Sequence, residues 1–99
     1  MASVLVIRDD ARRELLEARD YYDEQRPGYG ERLVEAVEAE FALLLQFPEI
    51  GKKIRPNVRR RTMSRWPYGI VYQIRGEELV IVAIAHHRRR PHYWRSRLR

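Results

Sequence analysis

The stretch Leu79-Val80-Ile81-Val82-Ala83-Ile84-Ala85 decides how this chain folds. All seven of its residues are apolar, whereas a half-exposed strand alternates apolar with polar residues. An uninterrupted apolar run of this length is typical of a strand covered on both faces. It is far too short to cross a membrane as a helix, which takes about 20 residues. We therefore predict a central strand over residues 79 to 86.

Two more extended stretches precede this central strand. Arg75-Gly76-Glu77-Glu78 predicts a tight turn, because glycine supplies the turn conformation between two β-branched segments. Residues 68 to 75 are therefore expected to pair with the central strand as a hairpin. Residues 58 to 65 form the other stretch and carry arginine on both faces, which is typical of an edge strand that resists aggregation.

The N-terminal half of the chain predicts one strand and two helices. Residues 3 to 8 are rich in β-branched side chains, and Asp9 or Asp10 can then cap a helix that Pro27-Gly28 ends. A second helix is predicted over residues 30 to 47. The apolar residues at helical spacing are Ala11, Leu15, Ala18 and Tyr22 in the first helix and Leu33, Val37, Phe41, Leu44 and Leu45 in the second.

These elements follow the order β-α-α-β-β-β, with a loop over residues 48 to 57. The fold class is therefore α+β, with an antiparallel helix hairpin packed on one face of a small, mainly antiparallel sheet. One domain spans residues 1 to 99, because a chain this short supports a single core. The helix hairpin covers only one face of the central strand. The other apolar face must be covered by the tail, by loops or by a second protein. Because so small a domain has little chain left for the first two, we expect that face to be exposed and to be covered by a partner protein.

Charge is divided unequally between the two halves of the chain. Residues 1 to 50 hold 6 Lys and Arg against 12 Asp and Glu, and residues 51 to 99 hold 14 against 2, giving net charges of −6 and +12. This segregation predicts a face for an anionic or acidic partner. The absence of cysteine excludes disulfides, thiolate metal sites and a cysteine nucleophile. With no secretory signal, we expect a soluble, cytoplasmic chain that does not bind membranes.

The last fifteen residues are the most basic segment, with six arginines, three histidines, a tyrosine and a tryptophan. The histidines do not predict a metal site. His86 and His87 are adjacent, point to opposite faces of a strand and have no carboxylate or cysteine near them in sequence. No cofactor or metal is therefore predicted. One histidine remains a candidate general base, because imidazole titrates near neutral pH.

Four motifs in a fixed order resemble the ParE/RelE superfamily of bacterial toxins. They are Ala11-Arg12-Arg13-Glu14-Leu15 with Tyr21-Tyr22, Phe47-Pro48-Glu49-Ile50-Gly51, Trp66-Pro67-Tyr68-Gly69-Ile70-Val71-Tyr72, and Ala85-His86-His87-Arg88-Arg89 with Pro91-His92-Tyr93-Trp94-Arg95. The resemblance covers nearly the whole chain. It implies the toxin of a type II toxin-antitoxin module, of the kind associated with plasmid stabilisation. It also implies a hetero-oligomer with a cognate antitoxin, whose C-terminal segment would cover the exposed sheet face.

Two activities occur in the superfamily, so the resemblance leaves open whether the chain is an enzyme. ParE-like members poison DNA gyrase and are not known to need a catalytic residue, whereas RelE-like members are ribosome-dependent endoribonucleases that cleave mRNA. RelE-like chains commonly carry an arginine in the strand motif where this chain has Gly69, and glycine has no side chain to bind a phosphate. Together with the Trp66-Pro67-Tyr68 motif and the His-x-Arg-Arg ending, Gly69 favours the ParE-like branch.

Candidate site residues differ between the activities. A metal-free nuclease needs positioned acids, bases and cations, and for it the resemblance implies Lys52, Lys53, Arg65, Arg88, Arg89 and Tyr93. For target binding the candidates are Arg59, Arg61, Arg65, Arg88, Arg89, Arg90, Tyr93 and Trp94. A third alternative is a basic nucleic-acid-binding module, which would contact phosphates and stack bases on Tyr93 or Trp94.

Overall fold

Two helices and a five-stranded sheet form the fold, in a computed structural model that describes residues 2 to 98. The elements in chain order are β1 (Val4–Ile7), α1 (Asp9–Gln25), α2 (Tyr29–Gln46), β2 (Lys52–Arg55), β3 (Val58–Thr62), β4 (Tyr68–Arg75), β5 (Glu78–His86) and a 3-10 helix (Arg95–Arg97). The strand order is β1-β5-β4-β3-β2. β1 runs parallel to β5, and the other neighbours are antiparallel. The predicted α+β class is confirmed. No helix in residues 2 to 98 is long and apolar enough to span a membrane.

β5 takes the central place that its apolar run predicts. It lies between β1 and β4, and all seven residues from Leu79 to Ala85 are buried. The turn between β4 and β5 is also as predicted, with Gly76 in the left-handed region at φ 60°. That conformation suits glycine at the first central position of a two-residue hairpin turn.

A bulge in β5 changes which side chains face the helices. Val71 lies opposite Ala83 and Tyr72 opposite Ile81, so Val82 has no residue across from it on β4. An extra residue of this kind shifts the alternation of side chains along a strand. Leu79, Ile81 and Ile84 therefore pack in the cluster on the helix side, whereas Val82, Ala83 and Ala85 pack in the cluster on the opposite side. A uniformly apolar sequence gives no sign of this shift.

The helix hairpin covers one face of the sheet through the predicted apolar stripes. Ala11 and Ala18 of α1 are buried, as are four stripe residues of α2, namely Leu33, Val37, Phe41 and Leu44. The N-cap of α1 is Arg8 and not Asp9 or Asp10 as predicted. Both aspartates instead occupy the first turn, where carboxylates interact favourably with the helix dipole.

Gly30 lets the two helices approach closely. Its backbone N–H donates to Asp23 Oδ1 at 2.8 Å, and a β-carbon at this position would overlap the backbone carbonyl oxygen of Arg19. We expect Gly30→Ala to lower the free energy of unfolding by about 1–3 kcal/mol, the usual cost of overpacking. Urea unfolding would measure this loss. Ala39→Gly at an exposed site of α2 is the control for helix propensity. A stabilised Gly30→Ala protein would contradict the proposed close approach.

Two predictions about the sheet edge are wrong. The segment predicted as a loop over residues 48 to 57 contains β2, which pairs antiparallel with β3 and occupies the edge. β3 is therefore an inner strand and not the edge strand that its arginines suggested, and it ends at Thr62 rather than near Arg65. β2 has a single apolar residue, Ile54, so no apolar pattern marks it as a strand. Its backbone pairing to β3 defines it instead.

The prediction that one face of the sheet is exposed is also wrong. Trp94 is 2% exposed and packs with Val58, Val71, Val82 and the two alanines of β5, while Tyr93 and Leu98 adjoin this cluster. The face has small side chains at its centre, so one indole and its neighbours are enough to cover it. The chain itself therefore supplies the cover that we expected from a partner.

Candidate functional site

The C-terminal tail, residues 87 to 98, folds back over the sheet face that the helices leave free. His87 N–H donates to the backbone oxygen of Pro67 at 2.9 Å, and the chain then turns at the end of β5, where Arg89 N–H donates to the backbone oxygen of His86 at 3.0 Å. A series of tight turns follows, and His92 is left-handed at φ 59°. The tail then reaches Trp94 and the final 3-10 helix.

Glu14 on α1 accepts four hydrogen bonds, three of which anchor this tail. Its carboxylate accepts from the Tyr93 hydroxyl at 2.6 Å, from the Arg97 guanidinium at 2.9 and 3.0 Å, and from the backbone N–H of Ile84 at 3.0 Å. Arg97 also donates to the backbone oxygen of Val82 at 3.1 Å. The Glu14 side chain is 9% exposed and that of Arg97 12%. Glu14 and Arg97 thereby hydrogen-bond to the backbone of Ile84 and Val82, in the part of β5 that extends past the end of β1.

The environment of Tyr93 keeps its hydroxyl protonated. Burial raises the pKa of Tyr93, and the hydrogen bond to the Glu14 carboxylate raises it further. Burial lowers the pKa of the Arg97 guanidinium, but its bonds to Glu14 outweigh that effect and leave the pKa raised. Arg89 stacks on the Tyr93 ring, with its guanidinium carbon 3.8 Å from the ring centre. Tyr93 is thereby a fixed donor rather than a group poised to exchange its proton.

A basic groove lies between the tail, β2 and β3. It consists of two adjoining cavities of about 410 and 180 Å³, which share Arg60, Pro91, His92 and Trp94. Its charged and titratable lining residues are Lys52, Lys53, Arg60, His86, His87, Arg89, Arg90, His92 and Tyr93. Among residues 2 to 98, no acidic side chain lines either cavity. This basic groove is the strongest candidate for a functional site.

Arg60 lies where the two cavities meet, directly over Gly69. A β-carbon on Gly69 would come within 2.5 Å of Arg60 Nε, so the guanidinium rests in the space that the missing side chain leaves. Within residues 2 to 98, Arg60 forms no ion pair and no side-chain hydrogen bond. Gly69 of β4 has no side chain, and the guanidinium of Arg60 from β3 lies in the space above it.

Four of the predicted site residues line the groove and remain exposed: Lys52, Lys53, Arg89 and Arg90. Lys52 and Lys53 lie on β2 and not in a loop. Tyr93 and Trp94 contribute to the wall, but the Tyr93 hydroxyl is bonded to Glu14 and the indole of Trp94 is buried. Buried Trp94 is not available for a base to stack on, which removes half of the predicted aromatic platform.

The other predicted residues lie outside the groove. Arg59 donates to the backbone oxygens of Glu49 and Gly51, and Arg61 pairs with Glu40 of α2 at 2.7 Å. Both side chains therefore point to the helix side of the sheet. Arg65 lines a separate pocket with Tyr29, Arg32 and Trp66, and exposed Arg88 does not line either cavity.

The histidines do not assemble a metal site. In residues 2 to 98 no group of three His, Cys, Asp or Glu side chains is close enough to hold a metal ion. His86 packs edge-on against Tyr68, and its Nδ1 accepts the backbone N–H of Arg88 at 3.0 Å. Burial lowers the pKa of His86, and the charges of Arg88 and His87 add to that effect. His87 and His92 are exposed along the groove.

Three residues in and around this site were not predicted: Arg60, which lines the groove, and Glu14 and Arg97, which hold the tail that forms one wall. Glu14 lies on the same helical face as Ala11 and Ala18, which face the core, and an acidic residue there was a usable signal. Arg60 sits in a run of three arginines, and only its register beside Val71 places it on the tail side. For Arg97, no local pattern indicated a partner 83 residues away.

Comparisons with known proteins identify the family and the fold of this chain. The profile of the family described as the ParE toxin of the type II toxin-antitoxin system, parDE, matches residues 5–91. A solved structure described as the chromosomal ParDE TA system from P. aeruginosa contains a similar chain, with 21% identity and a TM-score of 0.62 over 84% of this chain and 94% of that one. No curated protein gives a significant match. The tail beyond residue 91, with Tyr93, Trp94 and Arg97, lies outside the matched region. The matched region spans most of the chain, and the chain therefore belongs to the ParE toxin family of type II toxin-antitoxin systems.

Proposed function

We propose that this chain is a toxin that poisons DNA gyrase and is neutralised by a cognate antitoxin, with which it forms a hetero-oligomer. The observation that carries the proposal is its membership of the ParE family together with a basic groove that has no acidic lining. A groove with only positive charge suits an anionic target, since its field concentrates anions and speeds their association. The same groove suits acidic segments of an antitoxin, which would then exclude the target.

The geometry gives less support to a nuclease. Cleavage of RNA without a metal needs a base for the ribose 2′-hydroxyl and an acid for the leaving oxygen. Tyr93 is bonded to Glu14, and Arg65 lies in another pocket. Among the nuclease candidates only Lys52, Lys53 and Arg89 line the groove as exposed groups. They supply cations and no acid and base pair, so proton transfer would fall to the histidines that line the groove, His86, His87 and His92.

Induction of the chain in a bacterial host tests the proposal. We expect chromosomal DNA breaks and an SOS response, because a gyrase poison leaves cleaved DNA. Co-expression of the cognate antitoxin should abolish both effects. Rapid arrest of translation with cleaved messages, and no DNA damage, would refute gyrase poisoning and establish the nuclease instead.

A purified system provides the second measurement. We expect the chain to convert supercoiled plasmid into linear DNA only when gyrase is present, with the breaks revealed after detergent and protease treatment. Incubation of the chain with mRNA and ribosomes should leave the message intact.

A further inference from the structure

We propose that the basic groove binds the phosphodiester backbone of the DNA that gyrase holds, with Arg60 over Gly69 as its central phosphate contact. The inference rests on the proposed function and adds what that function leaves unnamed, namely which component of the gyrase–DNA complex the groove contacts.

Of the three consecutive arginines of β3, Arg60 alone has no internal partner within residues 2 to 98. Arg59 and Arg61 flank it, point to the helix side and are bound there to backbone oxygens and to Glu40. Arg60 is only partly exposed and has no acidic partner in residues 2 to 98. A partly desolvated guanidinium without a counter-charge costs free energy, which an anion from outside would recover.

Gly69 leaves space on the sheet for this guanidinium. Gly69 is buried, and any larger residue would meet Arg60 at the Nε, Cζ or Nη2 atom. The fork therefore lies against the sheet, where its freedom is reduced. In this position the fork can offer two donors to the oxygens of one phosphate, which guanidinium groups bind in a bidentate manner.

The groove combines several cations with no open indole. Its cations extend on both sides of Arg60, with Lys52 and Lys53 on one side and Arg89 and Arg90 on the other. Trp94 is buried, so the groove has no open indole on which a base could stack. Several cations without an open indole suit the repeated charge of a nucleic-acid backbone, which such contacts bind without reading its sequence. An acidic surface of gyrase is the competing ligand.

Variants of the groove test this inference in the plasmid-cleavage reaction with gyrase. Arg60→Gln removes the charge, whereas Gly69→Ala keeps every charge and displaces the guanidinium, a flexible group that can move without unfolding the chain. For each we expect the toxin concentration that gives half-maximal linear DNA to rise roughly tenfold, as for the loss of one charged contact. Arg75→Gln removes an exposed charge outside the groove and should change it less than about twofold. Thermal unfolding verifies that each variant is folded.

Cross-linking then identifies the ligand. The chain has no cysteine, so Pro91→Cys at the rim can carry a single photo-activated cross-linker into the gyrase–DNA complex. We expect cross-links to the DNA strand. Cross-links to a gyrase polypeptide alone, or Arg60→Gln with unchanged potency, would overturn the inference but leave gyrase poisoning intact. If the unmodified chain yields no DNA breaks, the proposed function itself fails and the inference fails with it.

Discussion

Glu14→Ala should lower the free energy of unfolding by about 3 kcal/mol and release the C-terminal tail from the sheet. The change removes the acceptor of four hydrogen bonds and leaves the Arg97 guanidinium, the Tyr93 hydroxyl and the Ile84 N–H without it. Uncompensated polar groups of this kind are costly, and the Arg97 side chain is only 12% exposed. The loss is a large share of the 5–15 kcal/mol that typically stabilises a whole domain.

Urea unfolding gives the stability change, and hydrogen exchange at residues 93 to 97 gives the release of the tail. Glu17→Ala is the matched control, because Glu17 is exposed on the same helix and forms no ion pair within residues 2 to 98. It should alter stability by no more than about 0.5 kcal/mol. Equal effects of the two substitutions would show that Glu14 does not anchor the tail.

Trp94→Ala should cost about 3–5 kcal/mol, the usual range for removing a buried tryptophan. The indole covers Val71, Val82 and the small residues of β5, so its loss exposes an apolar sheet face. A dye that fluoresces on apolar surfaces should bind the variant and not the parent chain. Phe47→Ala removes an aromatic side chain that is already 52% exposed and serves as the control, with an expected loss below about 1 kcal/mol.

The stability losses of Glu14→Ala and Trp94→Ala should not be additive, because each substitution releases the same tail. The double variant should lose clearly less stability than the sum of the single variants, with a coupling of roughly 1–3 kcal/mol. Additive losses would show that Glu14 and Trp94 hold separate parts of the structure. Dye binding by the parent chain would, in turn, restore the exposed apolar face that the sequence suggested.

The main elements could be predicted because their signals are local. The apolar run from residue 79 to 85 marked β5 as central, Gly76 marked the turn before it, and the spacing of the apolar residues gave both helices. β2 could not be predicted, because its four residues include one apolar side chain and pair only through the backbone of β3. The bulge at Val82 was equally hidden, because every residue around it is apolar.

For function too, the sequence indicated one part and the structure another. The ordered motifs indicated the ParE/RelE superfamily, and the family profile confirms the ParE branch. The predicted site was a set of arginines, and sequence proximity could not separate Arg60 from Arg59 and Arg61. Strand register does so, because neighbouring residues of a strand face opposite sides of the sheet.

The sequence by itself determined the order of the main elements other than β2, the central place of β5 and the concentration of positive charge in the second half. Only the tertiary structure decided that the chain covers its own sheet face and that Arg60 occupies the space above Gly69. Both features depend on contacts between different elements. Glu14 of α1 contacts Arg97 of the tail, and Arg60 of β3 contacts Gly69 of β4. Helix and strand periodicity record which face a residue is on, but not which distant residue it meets there.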